Sequence, residues 1–386
     1  MKHLFFVMSL MIISINFLPP SFLQSAENTA EESTNNDYAF AVFRTLLEDA
    51  SDTNSVFSPH SVREILRLAY LGAAGDTAKE LDTLFHYSME QTLKPGQELS
   101  YTVLSGIWVQ KKYTMERNYI EAVKRWHGHV EIVDFTQGKE TEAIINEWFS
   151  DSTKGLISSV VADMPTATQL VLGNAVYFKG QWDYPFDKNL SDTKPFYPES
   201  GDVINAEMMR QVSTFSYAKG NSYSVVELPY LENDLSLFIF LPEKGISLKD
   251  FSKTFTESFF SDSIASSAKK EVSLTLPKFG ISQTVDVIPL LEKNGISKAF
   301  SDKADFSKMT HLRDIKIDSI QHRALIEVDE AGTEAAAASA AVMSVTSLPS
   351  PQNLPIRFIA DHPFIYVLYD RQNKMVLFIG SVVKPE

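Results

Sequence analysis

The sequence predicts an α+β fold built as one large domain. Three observations carry that reading: helix-period apolar spacing in the first third of the chain, strand-type runs through most of the rest, and no Pro/Gly/Ser linker between them. The chain has 386 residues, and the part remaining after an N-terminal targeting segment exceeds the size at which most cores split. Its apolar blocks are spread throughout, so the domain boundaries are set at 1–26 for the leader and 27–386 for the body.

Residues 1–26 combine a basic Lys2, an apolar run from Leu4 to Leu18, a Pro-Pro break, and small residues at Ser25 and Ala26, the pattern of a cleaved signal peptide. A membrane anchor needs about 20 apolar residues, and no later stretch supplies them. The mature protein is therefore expected to be secreted and extracellular, with no membrane partner. Asn189-Leu190-Ser191 is the one usable glycosylation sequon in that setting. The chain has no cysteine, which excludes disulfides and thiolate chemistry. A formal charge of −14 and a pI near 5.1 argue against nucleic-acid or heparin binding, since Lys111-Lys112 and Lys124-Arg125 are too short to make a basic patch.

Helices come first. Phe40, Phe43, Leu46 and Leu47 share one helical face, and Ser58-Pro59 supplies an N-cap and first-turn proline for a helix carrying Val62, Ile65, Leu66 and Ala69. Thr77 with Glu80 reads as a capping box ahead of Leu81, Leu84 and Phe85. After a strand at Tyr101 to Gln110, Ile120, Val123 and Trp126 mark one helix; Ile144, Ile145, Trp148 and Phe149, stopped near Gly155, mark another. Strands follow at Leu170 to Phe178, Val225 to Leu228, Leu235 to Leu241 and Val272 to Leu276, and a final pair, Phe364 to Tyr369 and Val376 to Val383, is joined by a polar turn. His127 with His129 reads either as a solvated helix end or as a metal pair.

The region from Ile315 to Pro355 changes character midway. Ile315, Ile317, Ile320, Leu325, Ile326 and Val328 predict a half-buried strand ending at Asp329 and Glu330. Gly332-Thr333-Glu334 then introduces a run of small residues from Ala335 to Val342, followed by Ser/Thr/Pro-punctuated sequence to Pro355. Small side chains can enter or leave a crowded site at little cost in rotamer entropy or polar desolvation. In a strand, Thr333, Ala335, Ala337, Ser339 and Ala341 share one face; Glu334, the only charge in that run, falls on the other with Ala336 and Ala338.

Together with SPHS at Ser58 to Ser61, NAVYFKGQW at Asn174 to Trp182, LPKF at Leu276 to Phe279 and ADHPFIYVL at Ala360 to Leu368, this stretch resembles the serpin family over nearly the whole mature chain. The resemblance implies a mixed multi-sheet core with about eight or nine helices and an exposed reactive-centre loop near residues 330–355. It implies a monomeric suicide substrate for a serine proteinase, held in a covalent acyl complex while the cut loop inserts into the main sheet. Glu330, Gly332, Thr333, Glu334, Ala335, Ala336, Ala337 and Ala338 become the hinge. Asn54, Ser58, Ser61, Asn174 and His322 match the polar cluster beneath the point where the sheet opens, although Ser58 also serves as a plain N-cap, Asn174 as a core amide and His322 as a lone strand histidine.

Counting from Glu330 in the family's register puts the scissile bond at Thr346-Ser347, with Val345-Thr346 and Met343-Ser344 as neighbouring alternatives. Thr or Val suits an elastase-like pocket and Met a chymotrypsin-like one. Serpins usually carry a further helix before the first long strand, often the glycosaminoglycan site; Ser88 to Ser100 leaves little room for it, so no such activation is expected. No cofactor is implied.

An enzyme is the competing class. The chain lacks a GxSxG elbow, HExxH, a Walker A loop, GxGxxG and Cys/His ligand spacing, so it is not expected to be one. A non-inhibitory serpin acting as carrier, chaperone or storage protein is the alternative, disfavoured by the small residues after Gly332.

Overall fold

The computed structural model describes residues 36–48, 52–85, 101–231, 234–333 and 354–385. Among them are eight α-helices: α1 at residues 36–48, α2 Pro59–Gly72, α3 Gly75–Phe85, α4 Arg117–Arg125, α5 Lys139–Ser152, α6 Leu248–Lys253, α7 Glu257–Ala265 and α8 Ile288–Lys293. Sixteen strands accompany them. The first eight are β1 Ser55–Phe57, β2 Tyr101–Gln110, β3 His129–Val133, β4 Leu170–Phe178, β5 Gly180–Gln181, β6 Asp192–Phe196, β7 Ile204–Lys219 and β8 Tyr223–Pro229. The rest are β9 Leu235–Pro242, β10 Ala268–Pro277, β11 Phe279–Asp286, β12 Ser319–Val328, β13 Gly332–Thr333, β14 Ile356–Ile359, β15 Phe364–Asp370 and β16 Met375–Val382.

The strands form two sheets. A nine-stranded one runs β1-β16-β15-β9-β8-β7-β10-β14 with β6 beside β7; a seven-stranded one runs β3-β2-β4-β12-β13-β5 with β11 beside β12. Side-chain alternation on β12 explains how the second sheet meets the first: Ile320, His322, Ala324, Ile326 and Val328 are buried, while Gln321, Arg323 and Leu325 are only half-buried. Ala324, Ile326 and Val328 join Val176 and Phe178 of β4 against Leu237, Ile239, Tyr366 and Leu368 of the larger sheet. The faces of α1 and α2 predicted to be apolar are buried in a second cluster with α6, α7 and α8. Full burial of each such Leu, Ile or Phe contributes about 1.5–3 kcal/mol.

On the outer face of the seven-stranded sheet, α5 lays Ile145 and Phe149 against Trp108, Val171 and Ala175. Two glycines make room for the indole: a Cβ at Gly106 would come within 2.3 Å of Trp108, and one at Gly173 within 2.9 Å.

Several expectations meet the structure directly. The strands β2 and β4 have the predicted ends, and Ser58 caps α2 by accepting from the Ser61 N–H, with Pro59 in the first turn. The Thr77–Glu80 capping box does not form. Helix α3 already begins at Gly75; the Thr77 hydroxyl accepts from the Asp305 N–H at 2.9 Å, and Glu80 accepts from the N–H groups of Ser297 and Lys298. The strand predicted to begin near Ile315 starts at Ser319, and Ile315 and Ile317 are buried as irregular chain. His127 and His129 are not one helix end: His127 follows α4 at φ 56°, whereas His129 opens β3 and stacks on Trp148 with ring centroids 4.7 Å apart. Residues 330–333, expected in an exposed loop, are largely buried, with Glu330 2% and Thr333 0% accessible. The leader and the Ser88–Ser100 segment lie outside the described residues.

Candidate functional site

The site grows from a parallel strand pair with a built-in mismatch in length. β4 and β12 pair from Val171↔Ser319 to Tyr177↔Leu325. Beyond that point β4 stops at Phe178, while β12 continues to Val328 and turns back. The turn is fixed locally: the Asp329 N–H donates to the Gly332 carbonyl at 2.8 Å, and the Asp329 carboxylate accepts from the N–H groups of Ala331 and Gly332 at 2.8 and 3.1 Å.

Gly332 and Thr333 then pair on both sides. Thr333 lies opposite Val328 of β12 and Gly180 of β5, so the first residues of the predicted hinge sit between β12 and β5. Gly332 has φ +151°, and a Cβ there would sit 1.9 Å from the Gly180 carbonyl oxygen, so only glycine fits. The Thr333 side chain points inward, its hydroxyl 2.7 Å from the Tyr230 hydroxyl. Tyr230 stacks on Trp182 at 4.4 Å, and the Trp182 indole N–H donates to the Asp329 carbonyl at 2.9 Å. Glu330 accepts from the Ser191 hydroxyl at 2.7 Å and the Lys278 ammonium at 2.9 Å; Lys278 also meets Glu207 at 2.8 Å. Burial pushes the Glu330 carboxyl up, but Lys278 and Ser191 outweigh it and hold the group below the usual carboxylate range.

Lower on the same strand pair, Asn174 and His322 are direct cross-strand partners. The His322 Nδ1–H donates to Asn174 Oδ1 at 2.7 Å, and its Nε2 accepts from the Ser58 N–H at 3.1 Å, which assigns a neutral ring. Full burial pushes its pKa down to about 3. Ser61 donates to the same Asn174 oxygen at 2.8 Å, while the Asn174 amide N–H groups donate to the Leu104 carbonyl and the Ser105 hydroxyl, both at 3.1 Å. One amide therefore ties together β2, β4, β12 and the start of α2. Separating β4 from β12 breaks its bond to His322 and leaves those to β2 intact.

The structure thus brings together Ser58, Ser61, Asn174 and His322, but not Asn54. The Asn54 side chain accepts from the N–H groups of Val383 and Lys384 and donates to the Lys384 carbonyl, fastening the end of β16 instead. Of the hinge, Glu330, Gly332 and Thr333 are placed; Glu334, Ala335, Ala336, Ala337 and Ala338 lie outside the described residues, as do Met343, Ser344, Val345, Thr346 and Ser347. Asn189 is exposed in a short 3₁₀ turn, its side chain donating to Asp187 at 2.9 Å. Sequence reasoning assigned no role at this site to Trp182, Tyr230, Lys278 or Tyr101, whose hydroxyl lies 3.0 Å from Ser58 Oγ, and it marked Ser191 only as the third residue of the glycosylation sequon. Trp182 and Lys278 stood inside the motifs that carried the resemblance, which was the available signal. Among the described residues no group of three or more His, Cys, Asp or Glu could hold a metal, and no helix is long and apolar enough to cross a membrane.

Comparison with known proteins bears on the family. The family model described as serpin (serine protease inhibitor) matches residues 33–385. An uncharacterised serpin-like protein from Methanosarcina acetivorans is 31% identical, over 97% of this chain and 92% of its own. Alpha-1-antiproteinase from Rattus norvegicus is 28% identical, over 97% of each. Among solved structures, human thyroxine-binding globulin superposes with a TM-score of 0.83 at 25% identity, covering 93% of this chain and 99% of that one. The family model spanning nearly every residue and the relative 31% identical over 97% of the chain lead to one conclusion: the chain belongs to the serpin family of serine protease inhibitors.

Proposed function

We propose that this serpin is a secreted suicide-substrate inhibitor that traps an elastase-like or chymotrypsin-like serine proteinase as a covalent acyl complex. The single observation that carries the reading is the placement of Thr333: fully buried, paired with Val328 on one side and Gly180 on the other, at the mouth of the β4–β12 seam. A loop that starts there carries Ala335, Ala337, Ser339 and Ala341 on the face of Thr333 and its one charge, Glu334, on the opposite face, so it can extend down the seam without burying a charge. About ten new ladder hydrogen bonds at roughly 1 kcal/mol each, with added apolar burial, release on the order of 10 kcal/mol or more, enough to make insertion one-way. The proteinase supplies the attacking serine, and the chain supplies the acyl group at Thr346 or, in neighbouring registers, Val345 or Met343. The shared bonds of Ser58, Ser61, Asn174 and His322 are suited to a sheet that opens and closes again, because they can re-form around an added strand. Secretion rests on the leader at 1–26, and glycosylation at Asn189 on its exposure.

Mixing the protein with elastase-like, chymotrypsin-like and trypsin-like proteinases and running denaturing gels tests the reading. A complex that survives boiling and a released fragment beginning at Ser347 are expected; cleavage across the panel with no complex rejects inhibition in favour of a carrier or storage role. Thr333→Arg places a charge against Tyr230 and is expected to turn the inhibitor into a substrate, cleaved without complex formation, whereas Ala336→Arg on the opposite face is expected to be milder. Undiminished complex formation by Thr333→Arg rejects the assignment of the insertion face.

A further inference from the structure

Between β14 and β15 the chain makes a short crossing, Ala360 to Pro363, whose first three residues are each fastened. The Ala360 N–H donates to the Thr275 carbonyl of β10 at 2.9 Å, and the Asp361 carbonyl accepts from the Tyr197 N–H, just past β6, at 2.8 Å. The third fastening is the His362 ring. Its Nδ1 lies 2.8 Å from the Asp361 carboxylate, and its Nε2 lies 2.8 Å from the Pro242 carbonyl at the end of β9. An ionised carboxylate and a carbonyl can only accept, so this geometry requires a proton on both ring nitrogens and makes the ring an imidazolium. Burial pushes the Asp361 carboxyl up, but His362 and Lys244, whose ammonium is 2.9 Å away, outweigh it and hold the group below the usual carboxylate range. The acceptor on that side therefore stays ionised.

Solvent can reach the ring without unfolding. The His362 and Asp361 side chains are 13% and 16% accessible, and His362 lines an open groove shared with Lys219, Glu243, Lys244, Arg357 and the phenols Tyr217 and Tyr223. Lys219 and Glu243 pair with each other at 3.5 Å and Lys244 is engaged by Asp361, so the Asp361 carboxylate is the charge in direct contact with the imidazole. Whichever nitrogen gives up its proton presents a lone pair to an acceptor 2.8 Å away, and that contact opens. We propose that His362 and Asp361 form a proton-operated clasp, which holds the end of β14 against the end of β9 while the imidazole is charged and releases it when the charge is lost. Among the described residues β14 is paired with β10 alone, so the crossing supplies its remaining attachments, and the clasp is the attachment that a proton controls. β14 begins directly after the predicted reactive loop, and the clasp thereby sets how firmly the returning end of that loop is held. Its pH dependence runs opposite to that of the buried neutral rings His322 and His60: a ring charged in the folded chain contributes stability that is lost as pH rises.

Hydrogen exchange of the full chain, read by mass spectrometry on the peptide covering residues 356–362 and corrected for the intrinsic pH dependence of exchange, tests the clasp. It uses no proteinase, so its failure leaves the inhibitory reading untouched. In the wild type, protection of that peptide is expected to fall about tenfold or more between about pH 6 and about pH 8.5, the scale of one charge-assisted hydrogen bond, while β16 keeps its protection. His362→Gln keeps a donor but no titrating charge; it is expected to show the low protection at both pH values and to coincide with the wild type at the higher one. Asp361→Asn retains an acceptor without the charge that favours the second ring proton, and is expected to move the fall to lower pH. Wild-type protection that stays constant over the range, a loss shared equally by β16, a gap between wild type and His362→Gln that is the same at both pH values, or a profile unmoved by Asp361→Asn each overturns the proposal.

Discussion

His322 shows how a buried, neutral imidazole couples the β4–β12 seam to pH. In the unfolded chain the ring takes up a proton below about pH 6.5, whereas in the folded chain burial delays uptake to about pH 3. Between those values the unfolded state binds more protons, so stability falls as pH is lowered. This one ring is expected to cost about 2 kcal/mol between roughly pH 6.5 and pH 4.5. Urea titrations across that range are expected to show a shallower pH slope for His322→Gln than for wild type; equal slopes would show that the ring protonates in place. His60, whose pKa burial and the neighbouring Arg63 and Arg67 also lower, keeps a residual slope of the same sign. Gly332 carries a constraint of another kind. Gly332→Ala drives a methyl into the Gly180 carbonyl and is expected to cost a few kcal/mol or expel the hinge, seen as a lower melting temperature and faster proteolysis near residue 333. At this scale the sequence was legible where a residue's partners are local, as with Ser58 and its cap. It was not where they are distant: nothing adjacent to Asn54 indicates that its amide is spent on Val383 and Lys384.

Helix α5 covers the seven-stranded sheet through a small aromatic cluster, in which Phe149 lies 5.5 Å from Trp108 and 4.7 Å from Trp148. Phe149→Ala is expected to cost about 3–5 kcal/mol, because the rigid strands beneath cannot collapse into the cavity. Chemical denaturation measures the loss, and a value below about 1 kcal/mol would mean that α5 is not fastened by this contact. The helix was readable from its apolar spacing and the terminating glycine. The long strand β7 was not: Arg210, Gln211, Ser213 and Thr214 interrupt its apolar positions, because its outward face is partly open to solvent. Thr77 and Glu80 misled for a related reason. A Thr–Glu pair three residues apart suits a capping box, but here both side chains serve the 297–305 segment, a use that helix spacing cannot reveal.

At the scale of the molecule, the two-sheet α+β architecture was legible because alternation and helical spacing agree along most of the chain, while strand order was not, since partners such as β4 and β12 lie about 150 residues apart. If the seam is a slot for a further strand, cutting the loop without a proteinase partner releases the insertion energy as added stability. Protein nicked between residues 343 and 348 is therefore expected to melt on the order of 20 °C or more above the intact form. An unchanged melting temperature would mean that the seam does not admit the loop. The order of strands in the larger sheet bears on how the molecule is made. β15 and β16 lie inside that sheet, and β1, the first described strand to leave the ribosome, has β16 as its one partner there among the described residues. Until the last two strands have been synthesised, β1 and β9 have no neighbour on the sides that face each other, and the first and second helices have only part of their floor. Translation speed and protection of the nascent chain therefore belong among the factors that decide how much active inhibitor a cell obtains.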